Sequence, residues 1–129
     1  MVIDTSALIA ILFGEPEALS FTQTIAKESR RLISSFNALE TGIVVEARKG
    51  EAGGREFDLL MHRARIEIVA MNLDQIEIAR SAWRKYGKGN HPAALNIGDC
   101  CAYALSKYSG ESLLFKGDDF SQTDIRSIQ

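Results

Sequence analysis

Little in this sequence suits a membrane, a disulfide framework or a zinc site. The longest apolar run, from Ala7 to Phe13, is far short of the roughly 20 residues that cross a bilayer. The start of the chain carries no basic segment and no small-residue cleavage motif, so no secretory leader is expected. Cys100 and Cys101 are adjacent; such neighbours rarely bridge, and this is not the spacing of a redox CxxC pair. The expected setting is therefore reducing and cytoplasmic, with no membrane partner. His62 and His91 are the only histidines, which argues against zinc. An excess of charge is missing too: 15 Lys and Arg oppose 17 Asp and Glu, a net of −2, which alone argues weakly against nucleic acid. What remains is the composition of an ordinary folded domain, 46% hydrophobic and 25% charged. A chain of 129 residues buries roughly two-thirds of its unfolded surface without a staple. We expect one domain over 1–129, since no repeat, linker or low-complexity tract divides it.

Apolar periods alternate between short runs and helical stripes, the pattern of an α/β fold. Strands are expected over 1–3, 31–34, 66–71 and 112–115, with a short edge strand over 125–128. Helices are expected over 6–13, 16–27, 36–49, 55–64, 74–86 and 97–108. Glycines at 53 and 54 mark 51–54 as a loop, and Gly87, Gly89, Asn90 and Pro92 mark 86–94 as another. Strands separated by helices give a mostly parallel sheet of four to five strands with helices on both faces.

Acids stand where packing alone would not put them. Asp4 directly follows the first strand, and Asp118 and Asp119 follow the fourth; ligands of open parallel sheets bind beyond these carboxyl ends. Glu40 lies i+4 from Phe36 on the apolar face of its helix, and Asp99 lies in the first turn of the last helix. Each has a plain structural alternative. Asp4 can cap a helix, Asp99 can serve the helix dipole, Glu40 can pair with Arg48 or Arg80, and the 118–119 pair can shape a turn. Together they repel unless a cation neutralises them. Oxygen ligands without thiol or imidazole point to Mg²⁺, with Mn²⁺ as a substitute, and so to phosphodiester hydrolysis.

Four segments, MVIDTSALIAIL, ALETGIVVEARKG, ALNIGDCCAYALSK and LLFKGDDFSQTDI, resemble in order and spacing the acidic motifs of PIN-domain ribonucleases, in particular the VapC-type toxins. The resemblance covers essentially the whole chain. It implies a three-layer α/β/α fold and a Mg²⁺-dependent endoribonuclease acting on a structured RNA such as a transfer RNA or a ribosomal RNA loop. It also implies a homodimer and a cognate VapB-like antitoxin. Carried over by motif, Asp4, Asp99 and Asp119 hold the metal and Glu40 orients or deprotonates the attacking water. Asp118 is the alternate to Asp119, because this sequence has two adjacent acids. Ser6 matches the hydroxyl that helps hold the site's water or phosphate, and it can equally cap a helix.

The segment 79–98 carries Arg80, Arg84, Lys85 and Lys88 and no acid. Arg80, Arg84 and Lys88 are spaced as one helical row, suited to RNA phosphates, or else to a plain solvated face. Trp83 and Tyr86 could stack bases, although a packed Trp83 is the plainer expectation. His91 could touch RNA or be an incidental loop residue, and Lys116 could reach a phosphate or lie idle at the surface. Cys100 and Cys101 read as packing residues. The apolar Leu8, Ile11, Leu12 and Phe21 suggest a docking surface for the antitoxin. Two rivals remain: a small-molecule phosphatase, weakened because Ser6 stands where Asp-x-Asp chemistry wants an acid, and a catalytically inactive PIN-like module that binds RNA or protein.

Overall fold

A computed structural model describes residues 1–128. Four short parallel strands, β1 (Val2–Ile3), β2 (Leu32–Ser34), β3 (Glu67–Val69) and β4 (Leu113–Leu114), form a sheet in the order β3-β2-β1-β4. Helices α1 (Thr5–Leu12) and α2 (Ala18–Lys27) connect β1 to β2, and α3 (Ser35–Arg63) connects β2 to β3. The return to β4 runs through α4 (Leu73–Tyr86) and α5 (Ile97–Ser109).

Strand alternation builds the layers. Val2, Leu32 and Leu113 join a core cluster with Ala82 and Tyr86 of α4 and Leu105 of α5. Their neighbours Ile3, Ile33 and Leu114 join a second cluster with Leu8 of α1, Phe21 of α2 and Phe57 of α3. One residue step therefore carries each strand from one helical layer to the other, and the expected α/β/α sandwich results. Helix α5 is buried without a break from Cys100 to Ser106, as a helix enclosed by protein must be. Cys100 and Cys101 pack there as free thiols, and burial pushes both up to about 11. Among the described residues no helix is long and apolar enough to cross a membrane.

Several expected elements change. The loop expected over 51–54 is helical: α3 turns sharply at Gly50, whose φ of 67° and ψ of −163° break the helical path. The arms 35–49 and 51–63 fold back on each other. Gly53 lies against Val45, and Gly42 lies against Phe57. Glycine at 53 is thus a contact surface rather than a loop signal, since a Cβ would come within 2.9 Å of Val45 Cγ1. The edge strand expected over 125–128 is reduced to an isolated bridge between Leu113 and Ser127. Helix α2 begins at Ala18 rather than at Pro16. Leu8 and Phe21 are buried, so the apolar surface expected of the N-terminal helices shrinks to the half-buried Ile11 and Leu12.

Candidate active site

Strand β1 pairs with β2 on one side and β4 on the other, and the connections from these strands leave in different directions. That is the topological switch point at which open α/β sheets bind ligands. Asp4 sits there, 3% exposed. It caps α1, accepting at Oδ2 from Ser6 N at 3.0 Å and Ser6 Oγ at 2.6 Å. Ser6 Oγ in turn accepts from the Lys116 backbone N–H at 2.9 Å. The segment after β4 is thus tied through Ser6 to the carboxylate after β1. Cap and functional readings of Asp4 and Ser6 are the same geometry.

Helix α3 supplies Glu40. Neither Arg48 nor Arg80 pairs with it; Thr5 Oγ1 donates to Glu40 Oε1 at 2.7 Å, and Asn37 Nδ2 lies at 3.4 Å. Asn37 is fully buried and also donates to the Gly98 carbonyl at 3.0 Å. It thereby bridges the starts of α3 and α5. Sequence reading missed both Thr5 and Asn37. The signals were a hydroxyl beside Asp4 and an amide one helical turn before Glu40. Gly98 matters through its bareness: a Cβ there would lie 2.7 Å from both Glu40 carboxylate oxygens.

Asp99 enters from the first turn of α5. Its Oδ2 accepts from Asn96 N at 3.0 Å, while Asn96 Oδ1 accepts from Asp99 N at 2.8 Å, a reciprocal capping box. Asp119 is exposed and leads into a short 3₁₀ turn, Phe120–Gln122. Asp118 is exposed too, and its backbone carbonyl closes the turn onto Ser121.

The acids feel one another. Burial drives the Asp4 carboxyl from 3.8 up to about 7; hydrogen bonds from Ser6 oppose this, and the charges of Asp99 and Glu40 add to it. Burial drives Asp99 to about 6 against its bond from Asn96, with Asp119 and Glu40 adding to the rise. Asp118 does not figure among the charges acting on either. Among the described residues no Lys or Arg forms an ion pair with Asp4, Glu40, Asp99 or Asp119.

That unneutralised set of oxygens fits a hard divalent cation. Among the described residues no three Asp, Glu, His or Cys side chains are gathered tightly enough to hold a metal alone. The arrangement suits an ion that keeps several waters and takes one or two carboxylates.

Beside the acids runs an open groove of about 700 Å³ between α4 and α5. Arg80, Arg84 and Lys88 line it, and so does Asn96, the partner of Asp99. Lys85 does not; its ammonium lies 5.2 Å from the Tyr86 ring centroid. Trp83, expected to pack, is 50% exposed and lines the groove, whereas Tyr86 is buried and unavailable for stacking. His91 belongs to the loop, accepting from Ala93 N at 3.0 Å and packing edge-on against Tyr86. Lys116 is engaged with Glu15 and Glu17.

The sequence matches the PIN domain over residues 1–126. It is 54% identical over 128 residues to the VapC ribonuclease Mb0640 of Mycobacterium bovis, covering 99% of this chain and 98% of that protein. It is 53% identical over 128 residues to a ribonuclease VapC of Mycolicibacterium smegmatis, covering 99% of each. Among solved structures, the Mycobacterium tuberculosis VapC20, described as a sarcin–ricin loop cleaving toxin, aligns with a TM-score of 0.79 at 15% identity over 99% of this chain and 98% of that one. VapBC2 from Rickettsia felis, solved with a DNA fragment from its promoter, aligns with a TM-score of 0.77 at 14% identity over 99% and 96%. At such low identity these likenesses speak for the fold.

Proposed function

The chain belongs to the PIN-domain family, among the VapC ribonucleases, and from that premise we propose that it is the toxin of a two-protein toxin–antitoxin module, an endoribonuclease that uses Mg²⁺ to hydrolyse phosphodiester bonds of a structured RNA. The substrate class is a transfer RNA or a ribosomal RNA loop. The observation that carries the reading is four carboxylates acting on one another beside the switch point with, among the described residues, no cationic side chain paired to them.

A divalent ion bound there would supply polarisation of the scissile phosphate and a more acidic water. Asp4, Asp99 and Asp119 would hold it, directly or through its waters, and Ser6 keeps the Asp4 carboxylate in one orientation through its two bonds to Oδ2. Glu40 takes the proton of the attacking water. Thr5 and Asn37 occupy Oε1 and fix the carboxylate's direction, leaving Oε2 as the accepting atom. Arg80, Arg84 and Lys88 hold the RNA backbone along the groove.

The protein works as a cytoplasmic homodimer and is restrained by a VapB-like antitoxin; the support for this partner is the likeness to toxin–antitoxin complexes. The test is cleavage in vitro of total cellular RNA, with 5′ ends sequenced. Cuts at a few sites that vanish with chelator, return with Mg²⁺ and are absent from Asp4→Asn support the reading. Wild-type cleavage by Asp4→Asn rejects the site.

A further inference from the structure

We propose that Trp83 is a stacking platform for an unpaired nucleobase of the substrate and so sets which RNAs are cut, an inference that rests on the ribonuclease reading above. Half of Trp83 is exposed, at a groove wall where an aromatic ring can meet a planar ligand. Around it stand Arg80, Arg84 and Lys88, which also line the groove. Among the described residues none of the three forms an ion pair. An indole face flanked by free cations matches a single strand, whose bases offer π faces and whose phosphates offer charge. An apolar protein helix would leave those cations without partners.

The platform is also held in place. Trp83 belongs to the last turn of α4, and its backbone carbonyl accepts from Gly87 N at 2.8 Å and from Asn90 Nδ2 at 3.2 Å. The indole lies directly against Gly87: a Cβ there would be 2.5 Å from Trp83 Cδ1 and 2.9 Å from Nε1. The bare glycine leaves room for the Cδ1–Nε1 edge of the indole at the chain reversal, while the residue also lines the groove. Asn96 lines the same groove and bonds Asp99. The wall that carries Trp83 thus continues to Asn96, the residue that holds Asp99.

Trp83 is the only tryptophan in the sequence, so its emission reports directly on the site. The test is titration of the full chain in chelator with a single-stranded RNA octamer, followed by Trp83 emission and by anisotropy of a labelled strand. We expect saturable loss of at least half the emission. An octamer made entirely of abasic sites should bind through its phosphates without that loss. Trp83→Ala should weaken octamer binding about tenfold and Trp83→Phe far less. With Mg²⁺, Trp83→Ala should raise KM while kcat changes little. Trp83 is at the surface, so these variants fold; a thermal melt checks it. Unchanged emission at saturating RNA, equal quenching by the abasic strand, or wild-type affinity of Trp83→Ala overturns the proposal. The titration needs neither metal nor turnover, so its outcome is distinct from failure of the nuclease reading.

Discussion

On the C-terminal half of α5, Tyr103 donates to Asp124 Oδ1 at 2.7 Å and the Lys107 ammonium lies 3.0 Å from Asp124 Oδ2. Burial works against the charge of Asp124, but these bonds outweigh it and hold the carboxyl below its usual range. At the start of the same helix, Asp99 has a backbone bond and no cation, and burial with two acidic neighbours lifts it to about 6. One helix thus closes an acid at one end and leaves an acid open at the other. The closed end adds to stability on its own. The open end is stable only when something positive arrives, which is what a binding site for a cation requires.

The largest expected break between the two ends is in activity. Asp99→Asn should lower RNA cleavage in Mg²⁺ by about 10³-fold, since one of the carboxylates that hold the cation becomes a neutral amide. Asp124→Asn, at the other end, should leave the initial rate within about twofold. Equal losses would mean that both ends only support the fold. Next in size is Glu40→Gln. Loss of a general base costs about 10² to 10⁴ in rate, yet calorimetry should show Mg²⁺ binding kept, whereas Asp4→Asn should lose the binding heat.

Acidity sharpens the contrast. With metal chelated, Asp4 and Asp99 protonate more easily in the folded chain than in the unfolded one. Their contribution is fully present below about pH 4 and is lost as pH rises through 6 and 7. The melting temperature of the chelated protein should therefore fall over that window, and Mg²⁺ should restore it. Asp4→Asn should flatten the fall. Asp124 works in the opposite direction: its contribution is present at neutral pH and disappears as pH drops below the ordinary carboxylate range. The smallest effect belongs to Lys107→Ala. Its ion pair is more than a third exposed on both sides, so chemical denaturation should show a loss of about 0.2–1 kcal/mol that shrinks in high salt.

Local chemistry made much of this legible. The alternation of Val2 with Ile3 and of Leu113 with Leu114 marks strands clothed on both faces, and the acids at strand ends mark the functional edge. What escaped depends on tertiary contact. Gly53 looks like a loop residue until the opposite arm of α3 is seen packed against it. The row Arg80, Arg84 and Lys88 follows from spacing, but the turn of Lys85 onto Tyr86 does not. Trp83 was expected inside because an aromatic residue on an amphipathic helix usually packs; the groove beside it comes from α5, more than ten residues later in the chain. Thr5 and Asn37 serve Glu40 across 35 and 3 positions respectively. The second link has helical spacing, but the first crosses from one helix to another and leaves no periodic trace.

Gly98 makes the open end of α5 vulnerable to a single carbon. A methyl at that position changes no charge and favours the helix by about 1 kcal/mol, yet it occupies the space in which the Glu40 carboxylate rests. Gly98→Ala should accordingly push the Glu40 carboxylate from its place while every acid survives, and a cleavage assay reads whether that shift alone disarms the chain.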